Sequence, residues 1–355
     1  MLKAARRLYR FTRRNFTLLA TATILVVSLV FAFASGFWVF FRFAYILLAA
    51  VPLSYLWARL NLARLHVRVE RRADRAQVGQ TTEERIEVRN LFPFPKIWLE
   101  VDDPSDLPGH NAKTAISLAS QGRRSWRLTS QCRRRGLYTL GPLTITSGDP
   151  FGLFHLSRSY GRPHHLLVYP LPVDLSHFWV PPANLPGEGR FRRRTYYVTP
   201  NAASVRDYAP GDSFNRIHWP TTARLARLMV KTFELDPASD IWVVLDLDGR
   251  VQAGQGDEST EEYGVRIAAS IVRYFIGANR SVGYIAYGQR LDILEPERSQ
   301  DHYNQILEAL ALAQAVGDAS LYQLLTAEER RFGRHTTLVV ITSSTSESWV
   351  LALQS

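Results

Sequence analysis

The chain has 355 residues, 46% of them hydrophobic, which is enough to build more than one packed domain. Its formal net charge is +11, and residues 1–75 alone hold 13 Lys+Arg against 2 Asp+Glu, so the whole excess lies beside an apolar N-terminal region. This distribution argues against nucleic-acid binding and favours contact with a membrane. The only cysteine, Cys132, cannot form an intrachain disulfide, which fits a reducing compartment.

Two long apolar runs predict two transmembrane helices. Phe16 to Ser35 is uncharged, and at 1.5 Å per residue it reaches about 30 Å, the thickness of the hydrocarbon core of a bilayer. Phe37 to Trp57 is a second such run, in which Arg42 lies near the start and can reach the far interface. Gly36 lies between the runs, so the pair reads as a tight helical hairpin.

Basic residues flank this hairpin on both sides, and the turn between the spans has none. The positive-inside rule therefore predicts that both ends of the hairpin, and the domains after it, are cytoplasmic in a multi-pass protein of the cell (inner) membrane. The same side chains would attract the anionic headgroups of a lipid bilayer. They are Lys3, Arg6, Arg7, Arg10, Arg13 and Arg14 before the spans, and Arg59, Arg64, Arg68, Arg71, Arg72 and Arg75 after them.

Short segments in which apolar and polar residues alternate follow the spans, with turn-forming residues between them. This pattern predicts an antiparallel, Ig-like β-sandwich over residues 66–175. Its predicted strands lie around Val67, Ile86, Ile97–Val101, Ser125–Ser130, Gly136–Leu140 and Leu143–Thr146. Six arginines make this region basic, either as a solvated face or as a patch that faces the membrane or an acidic partner. They are Arg123, Arg124, Arg127, Arg133, Arg134 and Arg135.

The last part of the chain alternates strands and helices, which is typical of a parallel sheet covered by helices. The predicted strands are Asp240–Leu247, Val282–Tyr287 and Thr337–Thr342, and the predicted helices are Glu261–Ala278, Tyr303–Ala315 and Leu321–Phe332. A domain of this kind normally has one or two further elements beyond Trp349. We therefore expect that the chain is truncated or is a fragment of a longer protein.

The densest set of polar residues lies between Val205 and Asp236. Pro210-Gly211 indicates a turn, after which Asp212 is expected to cap a short helix that runs through Trp219. A strand is expected over Val230–Leu235. The cations Arg216, Arg224 and Lys231 are then expected near Asp207, Asp212 and Glu234.

This segment has two interpretations. It is either a network of ion pairs and Trp stacking that locks the segment onto the α/β domain, or a docking surface anchored by Arg216, Trp219 and Arg224. As an active site it would rely on acid and base groups such as His218, which has no obvious partner in the sequence. The chain also lacks Cys/His metal spacing, a serine nucleophile elbow and a phosphate-binding Gly-rich loop. We predict a protein that is not an enzyme, with no catalytic residue and no identified small-molecule substrate.

The same segment resembles the bacterial and archaeal family called domain of unknown function 58. The matching residues are Arg206, Tyr208, Gly211, Asp212, Arg216, Ile217, Trp219, Ala223, Arg224, Val230, Lys231, Phe233 and Glu234. Arg135–Pro142, Asp149–Leu153 and the order of the parts are also similar to this family. The resemblance implies a partnership with a MoxR-type AAA+ ATPase in assembling or remodelling protein complexes at the membrane.

The resemblance also implies that the α/β end is like a von Willebrand factor type A domain. Such domains often bind Mg²⁺ through Asp-x-Ser-x-Ser after the first strand and an Asp after a later one. Here the first motif is Asp246-Leu-Asp248-Gly-Arg250, and the later strand ends in Thr342-Ser343-Ser344. The serines and the second carboxylate are absent, so Asp246 and Asp248 either hold Mg²⁺ weakly through water molecules or cap the next element. No other cofactor is expected.

These observations combine into one prediction, a membrane-anchored adaptor or assembly factor whose cytoplasmic domains bind a protein partner. The alternative is a divalent-metal-dependent binding or hydrolytic domain that uses Asp246 and Asp248. The residues expected to bind the partner, or to form the structural network, are Arg206, Tyr208, Asp212, Arg216, Trp219, Arg224, Lys231 and Glu234. The predicted parts are a basic tail (1–15), two transmembrane helices (16–57), a β-sandwich (66–175), a linker (176–200), and the family segment with the α/β domain (201–355).

Overall fold

The computed structural model describes residues 16–175, 204–209, 214, 217–232, 240–333 and 336–353. It divides the chain into two compact units, residues 1–171 and 172–355. The first unit contains two apolar helices and a β-rich region, and the second contains a mixed α/β sheet. This order of parts agrees with the sequence analysis, while the finer domain bounds given there stay predictions.

Two helices begin the first unit, α1 (Phe16–Ser35) and α2 (Trp38–Leu62). Both are long and apolar enough to cross a membrane, judged by length and composition. Gly36 joins them with φ of +66°, a left-handed conformation that glycine adopts at little cost. The second helix continues past its predicted end at Trp57 to Leu62, which is more than one helical turn beyond the apolar run.

Ten strands follow, arranged in three sheets with the orders β1-β3-β6, β5-β4-β8-β9 and β2-β10-β7. Their bounds are β1 Leu65–Arg71, β2 Arg75–Gln77, β3 Thr81–Asn90, β4 Lys96–Asp102, β5 Thr114–Leu118, β6 Arg123–Gln131, β7 Gly136–Leu140, β8 Leu143–Gly148, β9 His155–Tyr160 and β10 His164–Tyr169. The six predicted strands are confirmed. The sequence analysis did not identify β2, β5, β9 and β10.

One core joins two of these sheets. Ile86 and Val88 of β3 are packed with Leu99 of β4 and with Leu143 and Ile145 of β8, and all five side chains are fully buried. Strand β3 alternates strictly between buried and exposed residues, as a strand with one face on a core must. The first and second sheets therefore pack against each other through their apolar faces.

The second unit has a four-stranded sheet of order β15-β14-β13-β16. Its elements are β13 Asp240–Leu245, α4 Thr260–Gly277, β14 Val282–Tyr287, β15 Leu291–Glu297, α5 Gln300–Leu312, α6 Leu321–Ala327, β16 Thr336–Ile341 and α7 Ser348–Leu351. Strand β13 is parallel to β14 and β16, and five of its six residues are buried. The predicted parallel core is therefore confirmed.

The sheet has one edge strand that was not predicted and that is not parallel. Strand β15 is antiparallel to β14, because the chain turns back at Gly288, whose N–H bonds to the Arg290 carbonyl. The predicted helix at Tyr303 begins earlier, since the Ser299 side chain caps the N–H of His302. The helix predicted over 321–332 ends at Ala327 and is followed by a 3₁₀ turn.

Candidate functional site

The segment with the densest polar pattern folds around a small hairpin. Strand β11 (Ser204–Asp207) is antiparallel to β12 (Met229–Thr232), and helix α3 (Trp219–Leu225) lies between them in the chain. The prediction that a helix ends at Trp219 is wrong, because the helix begins there. Pro220 explains this position, since proline has no N–H to donate and suits the first helical turn.

Hydrogen bonds fix the start of α3 to β12. The His218 N–H donates to the Met229 carbonyl at 2.8 Å, and the Met229 N–H donates to the Thr222 hydroxyl at 3.0 Å. A 2.6 Å hydrogen bond also joins His218 Nδ1 to the Thr221 hydroxyl, so this histidine has a partner that the sequence did not indicate. Ile217 is buried beneath this contact, together with Met229 and Val230. The backbone that carries Trp219 is therefore held in place from two sides.

Large apolar side chains remain exposed on this fixed backbone. Trp219 is 64% exposed and Phe214 is 69% exposed, and Leu225 and Leu228 are exposed as well. The Phe214 ring lies 5.9 Å from that of Tyr208, and Arg224 in the last turn of α3 is also exposed. We call these residues the Trp219 surface: Tyr208, Phe214, Trp219, Arg224, Leu225 and Leu228.

The structure tests little of the ion-pair network that the sequence suggested here. Asp207 pairs with Arg227, whose Nε lies 3.3 Å from Oδ1, and Arg227 was not among the predicted partners. Strand pairing places the backbone of Arg206 opposite Val230. The side chains of Arg206 and Lys231, and all of Asp212, Arg216 and Glu234, lie outside the described residues, so their assignments stay predictions.

The second candidate lies at the carboxyl end of β13. Asp246 and Asp248 are buried, and the Thr342 hydroxyl at the end of β16 donates to Asp246 Oδ2 at 2.6 Å. The other Asp246 oxygen, Oδ1, accepts the N–H of Asp248 at 3.1 Å. Parallel strands bring their carboxyl ends to one edge of a sheet, which explains why Thr342 meets Asp246 across 96 residues.

Arg250 forms an ion pair with the carboxylate of Asp248. Its Nε donates to Asp248 Oδ1 at 2.9 Å and its terminal nitrogen donates to Oδ2 at 2.8 Å, a two-point contact between guanidinium and carboxylate. These hydrogen bonds hold the pKa of Asp248 below its usual range. Both aspartates accept backbone N–H groups of the loop that follows the strand. That they cap the next element and that they bind Mg²⁺ both stay predictions.

A cleft of about 200 Å³ opens beside these aspartates. Asp246, Gln252, Thr260, Tyr263, Thr342 and Ser343 contribute to its wall. The polar groups in it bond to each other: Thr260 donates to the Gln252 side chain, and Gln252 donates to the Asp246 carbonyl. These polar groups of the cleft already have hydrogen-bond partners, which favours a structural role for them.

A buried polar network that the sequence analysis missed lies in the first unit. Arg71 Nε donates to Glu84 Oε2 at 3.0 Å, and its terminal nitrogen donates to Asp103 Oδ2 at 2.5 Å. His110 belongs to the same network. Its Nδ1 lies 2.9 Å from the Ser130 hydroxyl, and its Nε2–H donates to the Asp103 carbonyl at 3.1 Å. All four ionisable side chains are at least nine-tenths buried.

This network has the composition of a metal site but not its geometry. Glu84, Asp103 and His110 offer ligand atoms within 4.8 Å of one another. Both imidazole nitrogens already have partners, however, and Arg71 supplies the positive charge that a cation would supply. Burial raises the pKa of Glu84 and outweighs the opposing effect of the Arg71 guanidinium, because one guanidinium faces two carboxylates. We therefore assign this group a structural role.

Some of these missed residues had a signal in the sequence. Glu84 belongs to the inward-facing row of β3, with Thr82 and Ile86, and a charged residue in such a row indicates a buried partner. His110 and Asp103 lie in the long connection between β4 and β5, where no periodicity points inward. Their positions follow only from the path of that loop.

Comparisons with known proteins add the family. Residues 204–355 match the family described as "Protein of unknown function DUF58". The "Uncharacterized protein YeaD" of Bacillus subtilis (strain 168) is 25% identical over an alignment of 276 residues that covers 75% of this chain. Residues 204–355 therefore form a segment of the DUF58 family. The aligned part spans 65% of the length of this relative, and the relative's name assigns it no activity.

Solved structures that are similar to part of this chain have low TM-scores. The CARDB domain of PF1109 from Pyrococcus furiosus is 15% identical and covers 29% of this chain and 86% of its own, with a TM-score of 0.23. The C-terminal domain of wzt is 14% identical and covers 33% of this chain and 83% of its own, with a TM-score of 0.24. Scores this low carry no argument about function.

Proposed function

We propose that this protein is a membrane-anchored, non-enzymatic adaptor or assembly factor that presents its domains to a protein partner. The observation that carries the proposal is the Trp219 surface, in which large apolar side chains and an arginine stand exposed on a backbone fixed by hydrogen bonds. Trp and Arg dominate the residues that provide most of the binding energy at protein interfaces. A rigid surface also loses little conformational entropy on binding.

The anchor of this adaptor is the pair α1 and α2. Their length and apolar composition suit two membrane spans, and the basic residues on both sides of the hairpin favour a cytoplasmic position for both of its ends. The Trp219 surface would then face the cytoplasm of a multi-pass protein of the cell membrane. A MoxR-type AAA+ ATPase is the first partner to test, because the family resemblance implies it.

The finer architecture belongs to the same proposal. We take the β-rich region as an Ig-like sandwich, since two of its sheets share one core. We take the α/β unit as a von Willebrand factor type A domain, for which the parallel strands with one antiparallel edge strand are the support. An experimental structure with a different strand connection in either region would refute the corresponding assignment.

The test is a binding measurement with the full-length protein in nanodiscs and a purified MoxR-type ATPase of the same organism. Trp219→Ala should weaken the complex about 30-fold, because hot-spot residues contribute about 2 kcal/mol or more. Tyr322→Ala is the matched control, since Tyr322 is an exposed aromatic residue on a different helix of the same unit. Equal binding of wild type and Trp219→Ala would refute the surface, and no binding by wild type would refute the choice of partner.

The metal-dependent alternative has less support. Asp246 and Asp248 lie close together, as a divalent cation would require. However, Arg250 holds both oxygens of Asp248, and a cation would have to displace this two-point contact. We therefore favour the adaptor, and the Mg²⁺ hypothesis keeps its own test in calorimetry with Mg²⁺ and Mn²⁺ on wild type and Asp246→Ala.

A further inference from the structure

One end of the β-rich region is attached to the ends of both apolar helices. Asn61, near the end of α2, is buried and donates to the Ile97 carbonyl and to the Ser147 hydroxyl, each at 2.7 Å. Its side-chain oxygen accepts the N–H of Ile97 at 3.1 Å. At the start of α1, the Thr17 hydroxyl donates to the Gly152 carbonyl at 2.8 Å. These bonds fix the β-rich region beside the apolar hairpin.

Strand register shows which loops share this end. Leu99 of β4 lies opposite Ser147 of β8, so the residues before Leu99 and the turn after Ser147 are at the same end of the sheet. The ring of Phe154 in that turn lies 5.5 Å from Tyr55 of α2. Tyr55 precedes the last residue of α2 by about 10 Å along the helix axis. The turn therefore reaches back beside the apolar part of the helix.

Large apolar side chains at this end are exposed. Trp98 is 73% exposed, and its φ of +58° is uncommon for a bulky residue. Phe151, at the turn beside α1 and α2, is 67% exposed. The Leu91 N–H donates to the Arg64 carbonyl at 3.0 Å, which places Leu91 at the same end. We call these exposed residues the junction patch: Leu91, Phe94, Ile97, Trp98 and Phe151.

Four arginines lie at the same end of the β-rich region as the junction patch. Arg64 lies just before β1, Arg89 lies near the end of β3, and Arg123 and Arg124 begin β6, and all four are exposed. Arg89 and Arg123 are directly opposite each other in the strand pair. Like charges in this position repel, so an anion between them would stabilise the strand pair. Exposed apolar and aromatic residues beside arginines match the boundary between acyl chains and anionic headgroups.

We propose that the junction patch inserts into the interfacial layer of the bilayer that holds α1 and α2, with these four arginines on anionic lipid headgroups. This inference rests on the membrane anchoring in the proposed function and adds a second contact to it. The hydrogen bonds of Asn61 and Thr17 bring the patch to the level at which the helices leave the membrane. The β-rich region is then held against the membrane surface by lipid contacts as well as by the chain.

The experiment uses the full-length protein in nanodiscs that contain anionic lipids with brominated acyl chains, which quench nearby fluorophores. An environment-sensitive dye is attached to Trp98→Cys, to Phe151→Cys, to Lys113→Cys or to Leu48→Cys. The native Cys132 can stay, because it is fully buried and burial raises the pKa of its thiol. Lys113 is the matched control, since it lies at the opposite end of the β4–β5 pair, and Leu48 in the middle of α2 reports membrane insertion.

We expect quenching at positions 98, 151 and 48 and none at 113. Quenching at 48 with positions 98 and 151 as bright as 113 would overturn the inference and leave the membrane anchor intact. No quenching at 48 would overturn the anchor itself. If the dye at position 98 is shielded only when a nanodisc holds two chains, and not by lipid, then the patch contacts a second copy of the chain. That result would overturn the inference.

The role of the arginines has its own comparison. Arg123→Glu with Arg124→Glu should reduce the quenching at position 98 in anionic nanodiscs toward the level found at position 113. Arg133→Glu with Arg134→Glu is the control, because it makes the same change of charge after β6 has ended. An equal loss in both pairs would show that only total charge matters and would overturn the assignment of the arginines beside the patch.

Discussion

Replacing Arg71 by alanine should destabilise the first unit strongly. Arg71 bridges Glu84 and Asp103, whose side chains are 2% and 0% exposed, so its loss leaves two buried carboxylates without a cation. Removing one partner of a buried charge pair costs about 3–5 kcal/mol. Domains are stable by about 5–15 kcal/mol, so this change should remove a large share of the stability. Arg71→Lys should cost less, because it keeps the charge and loses only the fork geometry.

Hydrogen–deuterium exchange of the full-length protein in nanodiscs can measure this local loss without assuming two-state unfolding of the whole chain. A loss of about 3 kcal/mol corresponds to exchange about 100-fold faster for the amides of β3. Arg68→Ala is the matched control on the same strand: its pair with Glu70 is exposed, and such pairs contribute about 0–1 kcal/mol. Equal exchange of β3 in Arg71→Ala and Arg68→Ala would refute the assignment of a buried, charge-compensated network.

Three further predictions concern other groups. Burial raises the pKa of Glu84 above its ordinary value of 4.5, so its contribution to stability is complete below pH 4.5 and is lost as pH rises through the folded pKa. Glu84→Gln should therefore flatten the dependence of β3 exchange on pH above 4.5, and an unchanged slope would contradict this. Gly283→Ala should lower the melting temperature of the α/β unit and cost about 1–3 kcal/mol, because the new methyl would lie 2.7 Å from the indole of Trp242 on the neighbouring strand. Gly277→Ala is the control and should be nearly neutral, since its methyl would meet no atom within 4 Å. Arg250→Ala should raise the pKa of Asp248 toward its usual range, since the strongest hydrogen bonds to that carboxylate are lost; a carboxyl NMR titration that shows no change would contradict the observed contact.

Elements with a strong local signal could be predicted from the sequence. The run from Phe16 to Ser35 and the apolar strand β14 have the predicted bounds, because hydrophobic length and continuity are properties of a single segment. Helix α3 was not predicted, since Asp212 gave a capping signal for a helix before Trp219 and the stronger local signal of Pro220 was not used. Strand β15 was missed because it contains Pro296 and because its residues alternate only weakly between buried and exposed positions.

The candidate sites were less predictable than the elements. Arg206, Tyr208, Trp219, Arg224 and the rest of the predicted set mark the family segment, but sequence alone could not say which side chains are exposed. The exposure of Trp219 follows from the hydrogen bonds that orient the start of α3 against β12. Likewise, Asp246 could be predicted to end a strand, whereas its bond to Thr342 depends on the pairing of β13 with β16.

The sequence by itself determined the order of the parts, the concentration of positive charge beside the apolar helices and the family that residues 204–355 resemble. These are properties of composition and of contiguous segments. The tertiary structure decided which distant residues meet: Arg71, Glu84, Asp103 and His110 come from three separate stretches and form one buried network. It also decided that the junction patch lies at the ends of α1 and α2. Burial and charge pairing depend on contacts between segments far apart in the chain, and local residue patterns do not encode those contacts.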